Sequence, residues 1–339
     1  MRSSFPRVTA WLAALYPIAL LVVVLLLRVG ERWWLTELLL YVPRVAFALP
    51  LVVLVPVLVA QGLRRWLWTQ AAAFVVLLFP LLGFVLPHGR TRAQGPSIRL
   101  LSYNVNSCKG GYQALADAVL ARAPDVVVMQ EFFCDARPLV ALLAAKYPTI
   151  DVTEQFVMAS RFPLRAKTQP PVVTHFPYLN VPHVVRYELS TPLGPLAVVT
   201  LHPVSVHPAL RDLRSLLSGS TKPVGFARTV ELIDRNTETR EFEFTAALEL
   251  AASAGLPVVI AGDTNVPNSS PLLARASAYE DGFESADWGF GYTFSSRFAW
   301  LRLDRVFVSH ELAFTDFDVD CGRASDHRCV TADIARRAE

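Results

Sequence analysis

Short apolar runs in this chain end, one after another, in side chains that bind cations or move protons. Residues 100–103 lead to Asn104 and Asn106, and 126–129 lead to Gln130 and Glu131. Residues 198–201 run into His202, and 258–261 into Gly262-Asp263-Thr264-Asn265. Asp304 lies between Leu303 and the apolar Val306-Phe307-Val308, and Ser325-Asp326-His327 precedes the last apolar run. Carboxylate and amide oxygens suit hard cations, and imidazole exchanges protons near neutral pH. Each residue alone has an ordinary reading: an Asp after Gly forms turns, a Glu after a strand is solvated, and a lone His is a hydrogen-bonded structural group. Asp304 is the exception. An acid within an apolar run points into a core or cleft, where an unpaired carboxylate is costly, and a histidine is its natural partner.

Side chains this far apart in sequence act together only when a rigid framework gathers them, as loops at strand ends do. Residues 98–105, 125–129, 196–201, 257–261, 303–308 and 329–334 read as strands, and 113–122 and 238–254 as helices. Apolar runs bounded by Gly, Pro and polar turns predict an α/β layered domain with a two-faced sheet core. Residues 87–96 carry the Pro/Gly punctuation of a linker. The expected organisation is a membrane anchor at 1–86, a linker at 87–97 and the α/β domain at 98–338.

The ordered set of motifs resembles the endonuclease/exonuclease/phosphatase superfamily of metal-dependent phosphoesterases. SYNVN (102–106), DVVVMQE (125–131), ASRFP (159–163), VTLHP (199–203), AGDTN (261–265), RLDRVFVS (302–309) and SDH (325–327) occur in the family's order. The resemblance implies a four-layer α/β sandwich, two packed mixed sheets flanked by helices. It also implies Mg²⁺, with Mn²⁺ as the alternative, held by Glu131, Asn104 and Asp326. Asn104, Asn106, Asn265 and His327 would contact phosphate. Asp263 and Asn265 would align an attacking water, Asp304 would hold His327 in one tautomer, and His202 would be a second imidazole on the phosphate. Thr264 stands where the family often has an aromatic, and Arg328-Cys329 where apolar residues or Pro are frequent; neither removes a ligand. Arg161 and Arg240 are expected to shape the site electrostatically, and His88, His175, His183, His207 and His310 are read as surface or structural residues.

Composition separates the two parts of the chain. Of 339 residues 53% are hydrophobic and 18% charged, which excludes a disordered chain and an ordinary soluble globule. Residues 1–96 hold nine arginines and two glutamates, net +7, leaving the remainder at −4. Three apolar runs, 10–27, 38–60 and 66–86, predict three transmembrane helices, with Arg44 snorkelling to the interface. The arginines split evenly between the two faces, so they set no orientation. Four cysteines, all after residue 100, fit either an oxidising compartment or buried thiols. An integral protein of a bacterial-type cell membrane with an outward-facing domain is the expectation.

The expected partner is a phosphate ester. Four lysines in the whole chain, and no basic run longer than two residues, argue against a deeply engaged nucleic acid, and a tether favours lipid-linked or small phosphodiesters. The aromatics between Trp288 and Phe298 line a pocket or, more simply, pack as a loop. A membrane-bound module that holds a phosphorylated ligand without turnover is the alternative.

Overall fold

A computed structural model describes residues 5–86, 92–170, 182–207, 210 and 226–338. The chain divides into two compact units, residues 1–85 with 267–271, and residues 86–266 with 272–339.

The first unit is helical. α1 (Phe5–Val29) has 25 residues, about 37 Å at ~1.5 Å each, enough to cross roughly 30 Å of hydrocarbon. With the turn that follows it, only 17% of its apolar window is buried, and Trp11, Leu15, Ile18 and Leu25 are exposed. The expectation of three spans is corrected here. α2 (Trp34–Leu40) and the helical stretch containing α3 (Leu49–Ala60) meet at an 85° bend, because Pro43 takes a non-helical backbone conformation before Arg44. α4 (Leu67–Val76) continues only through a π turn, Leu77–Leu81, that contains Pro80. The turn Arg64–Trp66 leads directly into α4, so the stretch opens on two arginines rather than on apolar residues, which keeps it from being an apolar span. Among the described residues one helix, α1, is therefore long and apolar enough to cross, or two spans if the bent pair counts as one. Arg44 does not snorkel. It is 6% exposed and donates to Leu40 O (3.0 Å) and Leu81 O (3.1 Å), two carbonyls left without helical partners near helix ends.

The second unit is built on two six-stranded mixed sheets. One holds β1 (Ala93–Asn104), β2 (Val126–Gln130), β3 (Thr149–Thr153), β4 (Phe156–Ser160), β11 (Leu312–Asp318) and β12 (Val330–Arg337), in the order β11-β12-β1-β2-β4-β3. The other holds β5 (Leu164–Thr168), β6 (Val184–Thr191), β7 (Gly194–Leu201), β8 (Val258–Asp263), β9 (Glu280–Asp281) and β10 (Asp304–Val308), in the order β5-β6-β7-β8-β10-β9. Each sheet has one parallel pair, β1 with β2 and β7 with β8, and antiparallel neighbours elsewhere. Strands β1 and β2 pack against β7, β8 and β10 across the interface.

The central strands are apolar on both faces because both faces are covered. Every residue of β2, Val-Val-Val-Met-Gln, is buried. Its outer face joins a cluster with Leu115 and Val119 of α5 (Tyr112–Arg122) and Leu139 and Leu143 of α6 (Ala136–Leu143). The second sheet packs Val199 and Ile260 against Phe244 and Ala247 of α7 (Phe226–Ala252). A short α8 (Gly282–Ala286) is capped by Asp281, which accepts from Phe283 N and Glu284 N. The sandwich of two sheets flanked by helices thus takes the expected form. The sequence-based linker differs in detail: β1 begins at Ala93, paired with Arg337 of β12, and residues 87–91 lie outside the described residues.

Candidate active site

The site collects at one end of the sandwich, and strand direction explains which residues reach it. The carboxyl ends of the parallel pairs deliver Asn104 from β1, Glu131 just after β2, His202 just after β7, and Asp263 as the last residue of β8. Antiparallel neighbours begin where those strands end, so their first residues arrive at the same rim. Asp304, first in β10, pairs with Asp263 in the ladder, and His327 precedes β12, which runs antiparallel to β1. By the same geometry Gln155 enters before β4 and His183 before β6, Val184 pairing with Leu201.

Asp263 is the hub. Its Oδ2 accepts from Asn104 Nδ2 at 2.9 Å and its Oδ1 from Asn265 N at 2.9 Å. Nε2 of His327 lies 3.6 Å from Oδ2 and Nε2 of His202 3.8 Å. His327 Nδ1 donates to Asp304 Oδ2 at 2.8 Å, which leaves Nε2 facing the cleft. His202 Nδ1 sits 2.5 Å from Gln155 Oε1, an acceptor, so this imidazole also turns Nε2 toward Asp263. Asn104 Oδ1 accepts from Asn106 N (3.0 Å), and Asn265 Nδ2 donates to Pro203 O (2.8 Å). Gln130, the glutamine before Glu131, does not enter the cleft. It is fully buried and donates to Thr200 Oγ1 at 3.0 Å, joining the two sheets directly behind the site.

These pairings set the charge states. Burial opposes ionisation of Asp263, but the His327 and His202 imidazoles and the Asn265 N–H outweigh it and hold the carboxyl below the usual carboxylate range. Burial likewise opposes charge on His327, yet the Asp304 and Asp263 carboxylates override it and raise the imidazole to about 10. Burial pushes the Asp304 carboxyl up, and the shared proton rests on His327 between two acids.

A cavity of about 360 Å³ opens above these groups. Asn104, Asn106, Glu131, His202, Asp263, Asn265, Asp326 and His327 all line it, whereas Asp304 stands behind His327. Glu131 and Asp326 are half-buried, and among the described residues no group pairs with the Glu131 carboxylate. Asp263, Asp304 and His327 also bring ligand atoms within 4.8 Å of one another, of which His327 Nδ1 and Asp304 Oδ2 are bonded to each other. The carboxylates of Glu131 and Asp326 line the cavity beside Asn104, whose Oδ1 also accepts from Asn106 N.

Two arginines expected at the site are elsewhere. Arg161 follows β4 at the opposite end of the sheet and pairs with Asp125 at 2.9 Å. Arg240 is fully buried in α7, bonded to Asn236 Oδ1. Of the unassigned histidines, His183 and His207 line the cavity, His310 is exposed, and His88 and His175 lie outside the described residues. His183 Nδ1 donates to His202 O at 2.7 Å, and its Nε2 lies 3.3 Å from Glu243 Oε1 of α7. Gln155, Phe133 and Lys109 also line the cavity without having been singled out. Among the aromatics between Trp288 and Phe298, Phe294 reaches the cavity; Phe290 stacks on Tyr292, and Trp288 and Phe298 are 65% and 83% exposed.

Comparison with solved structures gives the same fold at low sequence identity. An endonuclease/exonuclease/phosphatase from Beutenbergia cavernae superposes with a TM-score of 0.54 at 18% identity, covering 73% of this chain and 72% of that one. A family protein from Bacteroides thetaiotaomicron gives 0.52 at 16%, covering 72% and 100%. A 3′ phosphatase from Neisseria, solved with product DNA hairpin, gives 0.52 at 17%, covering 69% and 98%. No curated protein matches the sequence. The endonuclease/exonuclease/phosphatase family matches residues 101–327, more than half of the chain. With that match and this constellation, the chain belongs to the endonuclease/exonuclease/phosphatase family and is a hydrolase of phosphate esters.

Proposed function

We propose that this protein is a membrane-anchored, divalent-metal-dependent phosphoesterase that hydrolyses a small or lipid-linked phosphate ester by in-line attack of water. The observation that carries the reading is the arrangement of Asp263 between the Nε2 atoms of two imidazoles, at 3.6 and 3.8 Å, with Asn104 and Asn265 fixing its two oxygens.

The donor set suits Mg²⁺ or Mn²⁺, since Glu131, Asp326 and Asn104 offer only oxygen ligands to the cavity. A cation held there supplies positive charge to the phosphoryl group and the leaving oxygen. The side chains do the rest. Asp263, kept ionised by its neighbours, accepts a hydrogen bond from the attacking water and orients it. His327, charged at neutral pH, donates through Nε2 to a phosphoryl oxygen, with Asp304 orienting the ring and holding its charge. His202, whose Nδ1 is held by Gln155, presents Nε2 to the cleft and in its charged form donates to the leaving oxygen. Asn106 and Asn265 complete the phosphate contacts.

Cavity size and charge support the substrate class. Lys109 is the single lysine or arginine lining the cavity among the described residues, and residues after 96 are net −4. A duplex needs many phosphate contacts; this cleft favours one. The exposed apolar surface of α1 supports anchoring, since a helix in a soluble core would be mostly covered. The pairing of all four cysteines in the second unit supports an oxidising, outward-facing location. A panel of phosphodiesters and phosphomonoesters, with phospholipid headgroups, DNA and RNA, tests the assignment on the detergent-solubilised full chain. Metal-dependent turnover of small or lipid-linked esters is expected, and preference for duplex DNA would contradict it.

A further inference from the structure

Two disulfides join Cys108 to Cys134 and Cys321 to Cys329, and both are fastened to the loops that carry the site. Cys108 follows Asn106 by two residues and Cys134 follows Glu131 by three, so the first bridge ties the turn after β1 to the turn after β2. The same turns meet through Ser107 N donating to Glu131 O at 2.9 Å. The second bridge closes the loop that contains Asp326 and His327. The two loops also abut. A Cβ added to Gly110 would lie 1.8 Å from Ala324 O, an approach only glycine permits. Cys108, Cys321, Ala324 and Cys329 are buried in one apolar cluster, with Cys134 packed against it.

These loops need holding. Asn106, Ser107, Cys108 and Glu131 are non-glycine residues with φ of 44°, 52°, 58° and 55°, in the left-handed region that L-residues avoid. Such backbone persists only where its surroundings over-determine it. Beyond the strand ends the turns share few backbone bonds, and the bridges are the covalent restraints on them.

We infer that Cys108, Cys134, Cys321 and Cys329 are positioning residues for phosphate-ester hydrolysis: the first bridge sets Glu131 against the asparagine turn, and the second sets Asp326 and His327. This rests on the phosphoesterase reading. The oxidised chain is the competent form. Reduction of each bridge by a dithiol takes two electrons and two protons, breaks one S–S bond, yields two thiols and leaves the reductant as a cyclic disulfide. A catalytic unit on the oxidising side of a membrane keeps its site assembled, and one exposed to a reducing cytosol loses it.

The test uses the full chain in detergent, oxidised, reduced by dithiothreitol, and as the pairs Cys108→Ala/Cys134→Ala and Cys321→Ala/Cys329→Ala. Near-UV circular dichroism checks that each form is folded, and a thiol titration counts free cysteines. Mn²⁺ binding, read by electron paramagnetic resonance, supplies a measurement independent of turnover. Loss of the first bridge is expected to weaken Mn²⁺ binding about tenfold, as displaced support of a ligand does. Loss of the second is expected to lower kcat roughly 100-fold at saturating metal with KM little changed, since small misplacements at the reacting centre cost that much. Reoxidation restores the reduced wild type. Four free thiols in the unreduced chain, or a folded bridge-free chain with unaltered Mn²⁺ affinity and kcat, would overturn the inference. A chain that hydrolyses no ester in either state counts against the proposed function, while the Mn²⁺ arm still decides the role of the bridges.

Discussion

Nδ1 of His327 lies 2.8 Å from Oδ2 of Asp304, and both are buried. The carboxylate orients the ring and holds it in the charged form, in which Nε2 carries a proton toward the cleft. Asp304→Asn removes the negative charge that keeps the imidazole protonated and loosens the ring's orientation, so the proposed donor at Nε2 is lost. A drop in kcat of about 10²–10⁴ with KM nearly constant is expected, as in triad-type sites with the analogous change. A variant retaining more than about a tenth of wild-type kcat would remove His327 from the reaction.

On the proposed reading, Glu131 separates binding of the cation from the handling of protons. Its carboxylate faces the cavity unpaired among the described residues, so Glu131→Gln removes a ligand charge and disturbs no internal bond. The half-activating Mg²⁺ concentration should rise by at least about tenfold, with unfolding unchanged. An unshifted metal titration would move the cation elsewhere.

The His183–Glu243 pair makes a pH prediction. His183 Nδ1 must carry its proton, because His202 O can only accept; Nε2 is then a lone pair facing Glu243 Oε1. Burial raises the Glu243 carboxyl to about 7 and lowers His183 to about 4, so between those values the pair is a neutral hydrogen bond from protonated Glu243. Folded Glu243 keeps a proton that the unfolded chain loses above the ordinary glutamate value of 4.5, so its contribution to stability falls as pH rises from 4.5 to about 7. Folded His183 lacks a proton that the unfolded chain carries below 6.5, so its contribution rises with pH from about 4 to 6.5. The slopes oppose each other. Glu243→Gln keeps a donor to His183 and an acceptor for Val204 N but deletes the falling slope. Denaturation of wild type and variant across this window should diverge by about 1.4 kcal/mol per pH unit. Parallel curves would show that Glu243 is already ionised.

Gly262 has a steric reason. A Cβ there would lie 2.1 Å from Leu201 O on the adjacent strand, and backbone cannot step aside. Gly262→Ala should cost about 1–3 kcal/mol by overpacking and separate Asp263 from His202, lowering activity along with the unfolding midpoint. A fully active, equally stable variant would contradict the close strand approach.

In the candidate site, Asn104, Glu131, His202 and Asp263 were legible because they sit at the carboxyl ends of strands whose apolar runs are unmistakable, and Asp326 and His327 because they precede the last apolar run. Asp304 was legible from burial alone: an acid in an apolar run needs a partner, and His327 is that partner. Gln155 and His183 were not, because they precede antiparallel strands, and only the pairing of β4 with β2 and β6 with β7 brings them to the rim. Arg161 was misplaced for the same reason, since it lies at the far end of β4. Four cysteines without diagnostic spacing could not be paired from sequence. The three-span expectation failed where hydropathy ignores backbone: Pro43 bends the second run, and the third leaves its helix after Leu81.

Hydrolysis of a chromogenic phosphodiester by the full chain, with and without chelator and beside Asp263→Asn, tests the central claim most directly. Turnover that needs a divalent cation and falls by about 10³ or more in the variant, with folding intact, is the expected result. Chelator-resistant turnover, or turnover that survives loss of the Asp263 carboxylate, would contradict it.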